Sequence, residues 1–436
     1  MSRLSFHMRS TATLEPPLRD GAGLDTPPIR PLRSNFSWTL IGNIVYAGSQ
    51  WGILTILARL GSPEAVGVFS LGLAITAPIM LCAGLQLRAV QATDARRTVP
   101  FSDYAGTRTL TTGAAILSIW AIAAAGYRGT TAAAIAALGI SKGIESLSDI
   151  VYGLWQLQER MDLMAQSLML RGVASFAAAA LCFVTWHTVW AAVCGMAAAW
   201  GGVFVFFDLR RAKGAGGGMI RYHRPAIMAL LRVALPLGIV TMLVSLNTNV
   251  PRYLIGSMRG VRELGIFSAL GYPLLAGATI VNALGQSATP RLAAYWANGS
   301  LRAFRKLMSQ LLAIGLLLGV TGILAAIIAG GPMLKLLYGA AYAQNTGLFI
   351  WLMAAAALSY LASFAGYGLT AARRFRCQLP LFACTTALTL ACGAWLVKAN
   401  GARGAAQAMT VVGAVQLAAS LALLNARGVA EESTIS

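Results

Sequence analysis

Charged side chains are scarce in this chain, and acidic ones are the scarcest. Only 11% of its 436 residues are Asp, Glu, Lys or Arg, whereas a soluble domain carries about 25%. Hydrophobic residues make up 57% of the chain, and no water-soluble core of this size could hide so much apolar surface. The composition therefore excludes an ordinary soluble protein and favours one embedded in a membrane.

Sequence signals for catalysis, nucleotide binding and metal binding are absent as well. The six cysteines are scattered without a C-x-x-C pair, and the three histidines lie away from carboxylates. No G-x-x-x-x-G-K-[ST] phosphate loop occurs, and the connections predicted on the outer side are short. We therefore expect no enzyme activity, no metal site and no disulfide framework.

What the chain does have is a series of apolar blocks, each long enough to cross a bilayer. A membrane-spanning helix needs about 20 such residues. The blocks predict twelve transmembrane helices, at 36–58, 66–88, 109–126, 131–155, 165–186, 188–207, 233–256, 264–286, 308–329, 346–369, 379–397 and 405–424.

These helices divide the chain into five predicted regions. They are a disordered cytoplasmic tail at 1–34, a six-helix lobe at 35–209, a basic cytoplasmic linker at 210–228, a second six-helix lobe at 229–424 and a cytoplasmic tail at 425–436.

The net charge of +20 is explained by membrane topology. If the N-terminus is cytoplasmic, 25 of the 34 Lys and Arg residues fall in inside segments and 8 in outside segments. This bias follows the positive-inside rule. It predicts that both termini face the cytoplasm, and it removes the reason to expect a nucleic-acid partner.

An internal repeat relates the two lobes. Val66-Gly-Val-Phe-Ser70 opens predicted helix 2, and Leu264-Gly-Ile-Phe-Ser268 opens predicted helix 8. Because each half contains an even number of helices, both halves have the same orientation, as in transporters built from parallel repeats. We therefore predict an all-α, polytopic membrane protein with two pseudo-symmetric six-helix bundles that rock around a central cavity.

Charged residues inside predicted spans mark a candidate site, because each costs about 2.5–3.5 kcal/mol on insertion scales. Lys142, Glu145 and Asp149 share one face of predicted helix 4, and these two carboxylates are the only ones within a predicted span. One interpretation is a self-neutralising cluster that pairs Lys142 with Glu145, and Asp149 with Arg171 of predicted helix 5. The other is a cavity lining that binds a charged substrate or relays protons.

Predicted helices 7 and 1 carry the remaining candidates. Helix 7 contains Asn247, Asn249 and Arg252; a guanidinium matches phosphate oxygens bidentately, although Arg252 could instead snorkel to the outer interface. Helix 1 contains Asn43 and Gln50, which suit either a cavity lining or polar helix–helix contacts.

An ordered series of short motifs runs through residues 35–424. It includes Lys142-x-x-Glu145-Ser-Leu-Ser-Asp149-Ile-Val-Tyr-Gly-Leu154, Asn247-Thr-Asn-Val-Pro-Arg252-Tyr253, Leu264-Gly-Ile-Phe-Ser268, Ala283-Leu-Gly-Gln286 and Leu337-Tyr-Gly339. Together these motifs resemble the O-antigen and exopolysaccharide flippases, which belong to the multidrug/oligosaccharidyl-lipid/polysaccharide exporter superfamily.

The resemblance implies a two-lobed transporter of the bacterial inner membrane with no bound cofactor. Its substrate would be an undecaprenyl-pyrophosphate-linked oligosaccharide, moved from the cytoplasmic to the periplasmic leaflet and coupled to an H⁺ or Na⁺ gradient. Cationic cavity residues of the family hold the diphosphate, and this role carries over to Lys142 and Arg252, followed by Arg59 and Arg171. Membrane lipid and polysaccharide polymerase or assembly proteins are the implied partners.

Three other functions remain open at this level. A drug or small-cation exporter of the same superfamily would need a more acidic cavity than the mixed charges found here. A membrane enzyme of polysaccharide assembly would need a large outer loop with paired carboxylates. A scaffold subunit of a synthesis complex is also consistent with the sequence.

Overall fold

The computed structural model describes residues 32–93, 99–215, 217 and 220–425, and all regular structure in these ranges is helical. The predicted tails at 1–34 and 425–436 lie almost wholly outside the described residues. The helices are α1 (Leu32–Leu60), α2 (Pro63–Gly84), α3 (Leu87–Thr93), α4 (Phe101–Gly126), α5 (Gly129–Leu157), α6 (Met161–Trp186), α7 (Val189–Val203), α8 (Leu209–Gly214), α9 (Arg224–Met258), α10 (Val261–Ala297), α11 (Leu301–Tyr338), α12 (Ala340–Ala343), α13 (Thr346–Ala371) and α14 (Phe375–Asn425), and a π-helical turn at Phe204–Asp208 joins α7 to α8.

The helices of the described ranges are long enough to account for the twelve predicted crossings. Ten helical segments are long and apolar enough to span a bilayer. The 29-residue α5 is long enough for a further crossing, and it carries the charges of Lys142, Glu145 and Asp149. The last crossing comes from α14, where Gly401 (φ 59°, ψ −140°) breaks the helix. There Gly404 packs against the carbonyl of Leu396, so the chain reverses.

Several helices are longer than the apolar blocks that predicted them. α4 begins at Phe101 rather than at 109, and α9 begins at Arg224 rather than at 233. Beyond α7, the helical course continues through the π-turn to Gly214 rather than ending at 207. Backbone hydrogen bonding continues past the hydrocarbon boundary, whereas hydropathy stops at the first polar residues.

The helices form two lobes that meet along a seam. In the first lobe α1 packs on α6, while α5 contacts both α4 and α7; in the second lobe α13 lies between α11 and α14. The seam is formed mainly by α2 against α9 and α10. The buried apolar residues show how the seam changes along the membrane normal. One large cluster joins both lobes where α1 ends and α2 begins. At the opposite end, one cluster joins the first lobe to the beginning of α9 through Leu230 and Ala234, and another lies within the rest of the second lobe. We call these the closed end and the open end.

At the closed end the two copies of the internal repeat touch each other. A Cβ placed on Gly67 would lie 1.7 Å from the carbonyl oxygen of Val261, and a Cβ placed on Gly265 would lie 1.8 Å from that of Pro63. The contact is reciprocal, because Pro63 and Gly67 occupy the same repeat positions as Val261 and Gly265. The pseudo-twofold axis therefore passes between α2 and α10 at this crossing, and only glycine allows so close an approach.

Candidate functional site

The face of α1 that is turned towards the second lobe shows where the lobes separate. Near the closed end, Arg59 Nε donates a hydrogen bond to the Leu337 carbonyl at 3.1 Å, and Trp51 Nε1 donates to the Tyr338 hydroxyl at 3.0 Å. One turn nearer the open end, a Cβ on Gly48 would meet no atom within 4 Å. Arg59 and Trp51 thus join the lobes at the closed end, whereas the position of Gly48 is open.

In the first lobe, a polar cluster surrounds Trp200; its members are Tyr46, Lys142, Glu145, Arg171 and Asp208, and we call it the Trp200 cluster. Lys142 Nζ lies 2.7 Å from Glu145 Oε2, and the Tyr46 hydroxyl donates to Glu145 Oε1 at 2.7 Å. The Lys142 ammonium also lies 5.3 Å from the centroid of the Trp200 ring. The side chains of Lys142 and Glu145 are 23% and 31% exposed. The predicted Lys142–Glu145 pair is present, and it is partly exposed.

The other half of the Trp200 cluster is dry. Arg171 Nη2 lies 3.2 Å from Asp208 Oδ2, with the two side chains 1% and 0% exposed. Ser167 Oγ donates to Asp208 Oδ1 at 2.6 Å, and the Arg171 guanidinium lies 5.6 Å from the centroid of Trp200. Burial of both charges is tolerated because each has a charged partner and further polar or aromatic contacts.

Asp208 is a member of the site that the sequence analysis missed. Hydropathy ended predicted helix 6 at residue 207, one position before it, and assigned the following basic residues to a linker. In the structure Asp208 closes the π-helical turn Phe204–Asp208, a feature that is frequent at functional sites. A single carboxylate directly after an apolar block and before Arg210 and Arg211 was the available signal.

The predicted pairing of Asp149 with Arg171 is wrong. Asp149 Oδ1 lies 3.1 Å from Arg88 Nη1, and Asp149 Oδ2 lies 3.1 Å from Arg108 Nη2. Asp149 and Arg171 have similar depths on neighbouring helices, but their side chains point into different interhelical grooves. Asp149 faces α3 and α4, whereas Arg171 faces Asp208. Arg108 had been assigned to the loop before predicted helix 3, yet its side chain is only 3% exposed.

In the second lobe, Arg252 lies in a different electrostatic environment. Its Nη1 donates to Asn249 Oδ1 at 2.7 Å, and Asn249 Nδ2 donates to the Ser245 carbonyl at 2.8 Å. The next residue, Tyr253, and Tyr272 of α10 pack against the buried cluster at the closed end. Within the described ranges, no carboxylate comes within 4.0 Å of Arg252. Arg252 is thus a guanidinium at the seam without a neutralising acid.

The other predicted residues do not converge on one point. Asn247 is half-buried beside the Arg252 group, and Asn43 is exposed and donates to the Thr39 carbonyl. Gln50 is half-buried, and its Nε2 has no hydrogen-bond partner in the part of the chain that the structure describes. The structure therefore brings together Lys142, Glu145 and Arg171 in one lobe and Arg252 with Asn249 in the other.

A separate pocket of about 540 Å³ opens on the seam near the closed end. Its walls contain none of the ten predicted site residues. It is lined by Leu71, Gly126, Tyr127, Arg128, Thr131, Tyr253, Leu254, Gly256, Ser257 and Val261.

Comparison with known proteins places this arrangement in a family. Residues 32–296 match the family described as polysaccharide biosynthesis protein. The capsular polysaccharide biosynthesis protein CapF of Staphylococcus aureus is 27% identical over 320 residues, which cover 72% of this chain and 80% of CapF.

Two solved structures share the fold at low sequence identity. One is the inward-facing conformation of a multidrug resistance MATE family transporter of the MOP superfamily, with a TM-score of 0.72 and 12% identity over 91% of this chain and 100% of that chain. The other is the lipid II flippase MurJ in an inward closed conformation, with a TM-score of 0.72 and 10% identity over 90% of this chain and 88% of that chain. The chain therefore belongs to the polysaccharide biosynthesis protein family and is a multi-pass membrane protein with the two-lobed fold of the multidrug/oligosaccharidyl-lipid/polysaccharide exporter superfamily.

Proposed function

We propose that this protein is a flippase that moves an undecaprenyl-pyrophosphate-linked oligosaccharide from the cytoplasmic to the periplasmic leaflet of the bacterial inner membrane. The observation that carries the proposal is Arg252, a seam guanidinium without a carboxylate partner. A fixed positive charge at membrane depth is costly unless an anion meets it. The diphosphate of the carrier lipid is such an anion, and its oxygens match the donors of a guanidinium.

Lys142 is the second proposed phosphate contact, and its availability depends on Glu145. The 2.7 Å ion pair between them neutralises the lysine in the resting state. Protonation of Glu145 would remove the negative charge and release the ammonium for the substrate. Glu145, with Asp149 as the alternative, is therefore the group that we propose couples transport to an H⁺ gradient.

The substrate headgroup would cross the membrane by alternating access of the space between the lobes. With a cytoplasmic N-terminus, the open end faces the cytoplasm and the closed end faces the periplasm, so the described state accepts substrate from the inside. The headgroup enters the space between the lobes, and the polyprenyl tail stays in lipid through the gap beside α1. Rocking of the lobes then separates α2 from α10 and opens the closed end.

The direct test is complementation of a strain that lacks its polysaccharide flippase. Arg252→Ala and Lys142→Ala are compared with Arg252→Lys and with Arg302→Ala, an exposed arginine at the start of α11. Loss of a charged hydrogen bond of about 1.5–3 kcal/mol corresponds to about 10- to 150-fold weaker substrate binding. We expect Arg252→Ala to abolish surface glycan, Arg252→Lys to retain part of it, and Arg302→Ala to retain all of it at equal protein levels.

Surface glycan at the wild-type level in both alanine variants would reject the assigned phosphate contacts. A binding measurement with purified protein separates the proposed substrate from that of a drug exporter. Undecaprenyl diphosphate should bind and be displaced by inorganic pyrophosphate, whereas binding of organic cations alone would favour a drug exporter.

A further inference from the structure

Aromatic side chains connect the Arg252 region to α1 at the closed end. Tyr253, the residue after Arg252 on α9, and Tyr272 of α10 pack against the same buried cluster that contains Tyr338 of α11. Tyr338 in turn accepts the hydrogen bond from Trp51 Nε1 at 3.0 Å. Trp51 and the residue next to Arg252 therefore both contact this one cluster, which has members on α1, α9, α10 and α11.

Trp51 is fixed at its edge but remains partly open. The hydroxyl that holds its indole belongs to Tyr338, which is 1% exposed, and the Tyr338 ring packs against Tyr342 with centroids 5.6 Å apart. Trp51 itself is 38% exposed. One turn towards the open end, Gly48 leaves free space where a Cβ would project. The indole thus borders the space between the lobes in a fixed orientation.

This combination matches the chemistry of a sugar diphosphate. A pyranose ring presents a face of C–H groups that packs on an aromatic ring, whereas the adjoining diphosphate requires cationic donors. Binding sites with such substrates combine apolar or aromatic walls with a few placed polar groups.

We propose that Trp51 stacks on the sugar that adjoins the diphosphate and so makes the site prefer a glycosylated lipid over the bare carrier lipid. This inference rests on the proposed function, because Arg252 must hold the diphosphate for the first sugar to reach the indole. Trp51 then acts as a specificity-determining residue, since the sugar contact adds to affinity only when a sugar is present.

A purely structural role predicts a different outcome. If Trp51 only joins the lobes, its replacement changes the closed end for every ligand alike. Trp395 provides a matched control, because it is 72% exposed and has no described partner across the seam. Trp51→Leu keeps apolar bulk but lacks an aromatic face, so it separates stacking from packing.

The experiment measures binding of two probes to purified full-length protein in nanodiscs. The probes are undecaprenyl diphosphate and undecaprenyl diphosphate bearing a single N-acetylglucosamine. An aromatic contact of about 0.5–1.5 kcal/mol corresponds to about a 2- to 12-fold preference for the glycosylated probe. We expect Trp51→Ala and Trp51→Leu to abolish this preference, so that the two probes bind with equal affinity, and Trp51→Phe and Trp395→Ala to retain it.

The experiment distinguishes failure of the Trp51 stacking role from failure of the Arg252 phosphate contact. If Trp51→Leu keeps the full preference, or if it weakens both probes equally, the stacking role is overturned. If Arg252→Ala binds both probes as tightly as the wild-type protein does, the proposed phosphate contact fails instead. Melting temperatures of every variant, measured on the same samples, show whether the protein compared is folded.

Discussion

The crossing of α2 and α10 allows a sharp test of alternating access. Gly67→Ala or Gly265→Ala places a methyl group against backbone rather than against a flexible side chain. The new carbon atom on Gly67 would lie 1.7 Å from the Val261 carbonyl oxygen, and that on Gly265 would lie 1.8 Å from the Pro63 carbonyl oxygen. Real Cβ atoms essentially never approach within 3.0 Å, so the helices must move apart by more than an ångström.

The two alanine substitutions destabilise only the state in which α2 and α10 are in contact. Overpacking of a close contact costs about 1–3 kcal/mol, and this penalty disappears once α2 and α10 separate. The equilibrium between the described state and the state in which α2 and α10 have separated should therefore shift by about 5- to 150-fold towards the separated state. Because the contact is reciprocal about the pseudo-twofold axis, the two variants should behave alike.

The assay uses Glu64 and Arg262, which face each other across the same crossing with 3.5 Å between Oε1 and Nε. Both are replaced by cysteine in a background without the six native cysteines, and the rate of disulfide cross-linking reports closure. We expect Gly67→Ala and Gly265→Ala to slow cross-linking and to lower transport. Labelling of closed-end positions by a water-soluble maleimide should rise in parallel.

Gly271→Ala is the matched control, because it lies on α10 two turns from Gly265 and its Cβ would meet no atom within 4 Å. It should cross-link at the rate of the parent protein. Equal cross-linking in all three glycine variants would refute the inference that this contact seals the closed end.

Three smaller predictions concern other buried polar groups. Asp208→Asn removes the carboxylate that pairs with the buried Arg171 and should lower the free energy of unfolding by about 3–5 kcal/mol. Replacing both residues by apolar ones should recover much of that loss. Chemical unfolding in detergent measures both effects, and a single variant as stable as the wild type would contradict the prediction. Glu263 accepts a hydrogen bond at 2.9 Å from the backbone amide of Ala402, where the last helical segment begins. Glu263→Ala should therefore lower the free energy of unfolding by about 0.5–2 kcal/mol, and Glu263→Gln should lower it by less. Equal melting temperatures for the variants and the wild type would rule out this cap. Tyr46→Phe removes one donor from Glu145 and should cost about 1 kcal/mol without breaking the ion pair, and a transport defect as severe as that of a Glu145 variant would show that the hydroxyl has a further role.

The architecture was largely readable from the chain because the bilayer imposes a length on each helix. Apolar blocks predicted twelve crossings, and the repeat around Gly67 and Gly265 predicted two related lobes. Helix ends were less accurate, since a helix does not stop where its side chains become polar. That error placed Arg108 in a loop and left Asp208 outside the span, although both are buried within helices.

The candidate site was only partly readable. Lys142 and Glu145 lie three residues apart on one helix, and helical geometry alone brings them within reach. The partners of Asp149 and Arg171 lie on other helices, and no periodicity in the sequence states which helices are neighbours or how each is rotated.

The sequence by itself determined that this is a membrane protein, how many crossings to expect and that its two halves are related, because each follows from local hydrophobicity and spacing. The tertiary structure alone decided which charges neutralise each other, that Arg252 has no acidic partner among the described residues, and which end of the seam is closed. Those outcomes depend on contacts between segments far apart in the chain, where differences in helix rotation decide whether two charges meet.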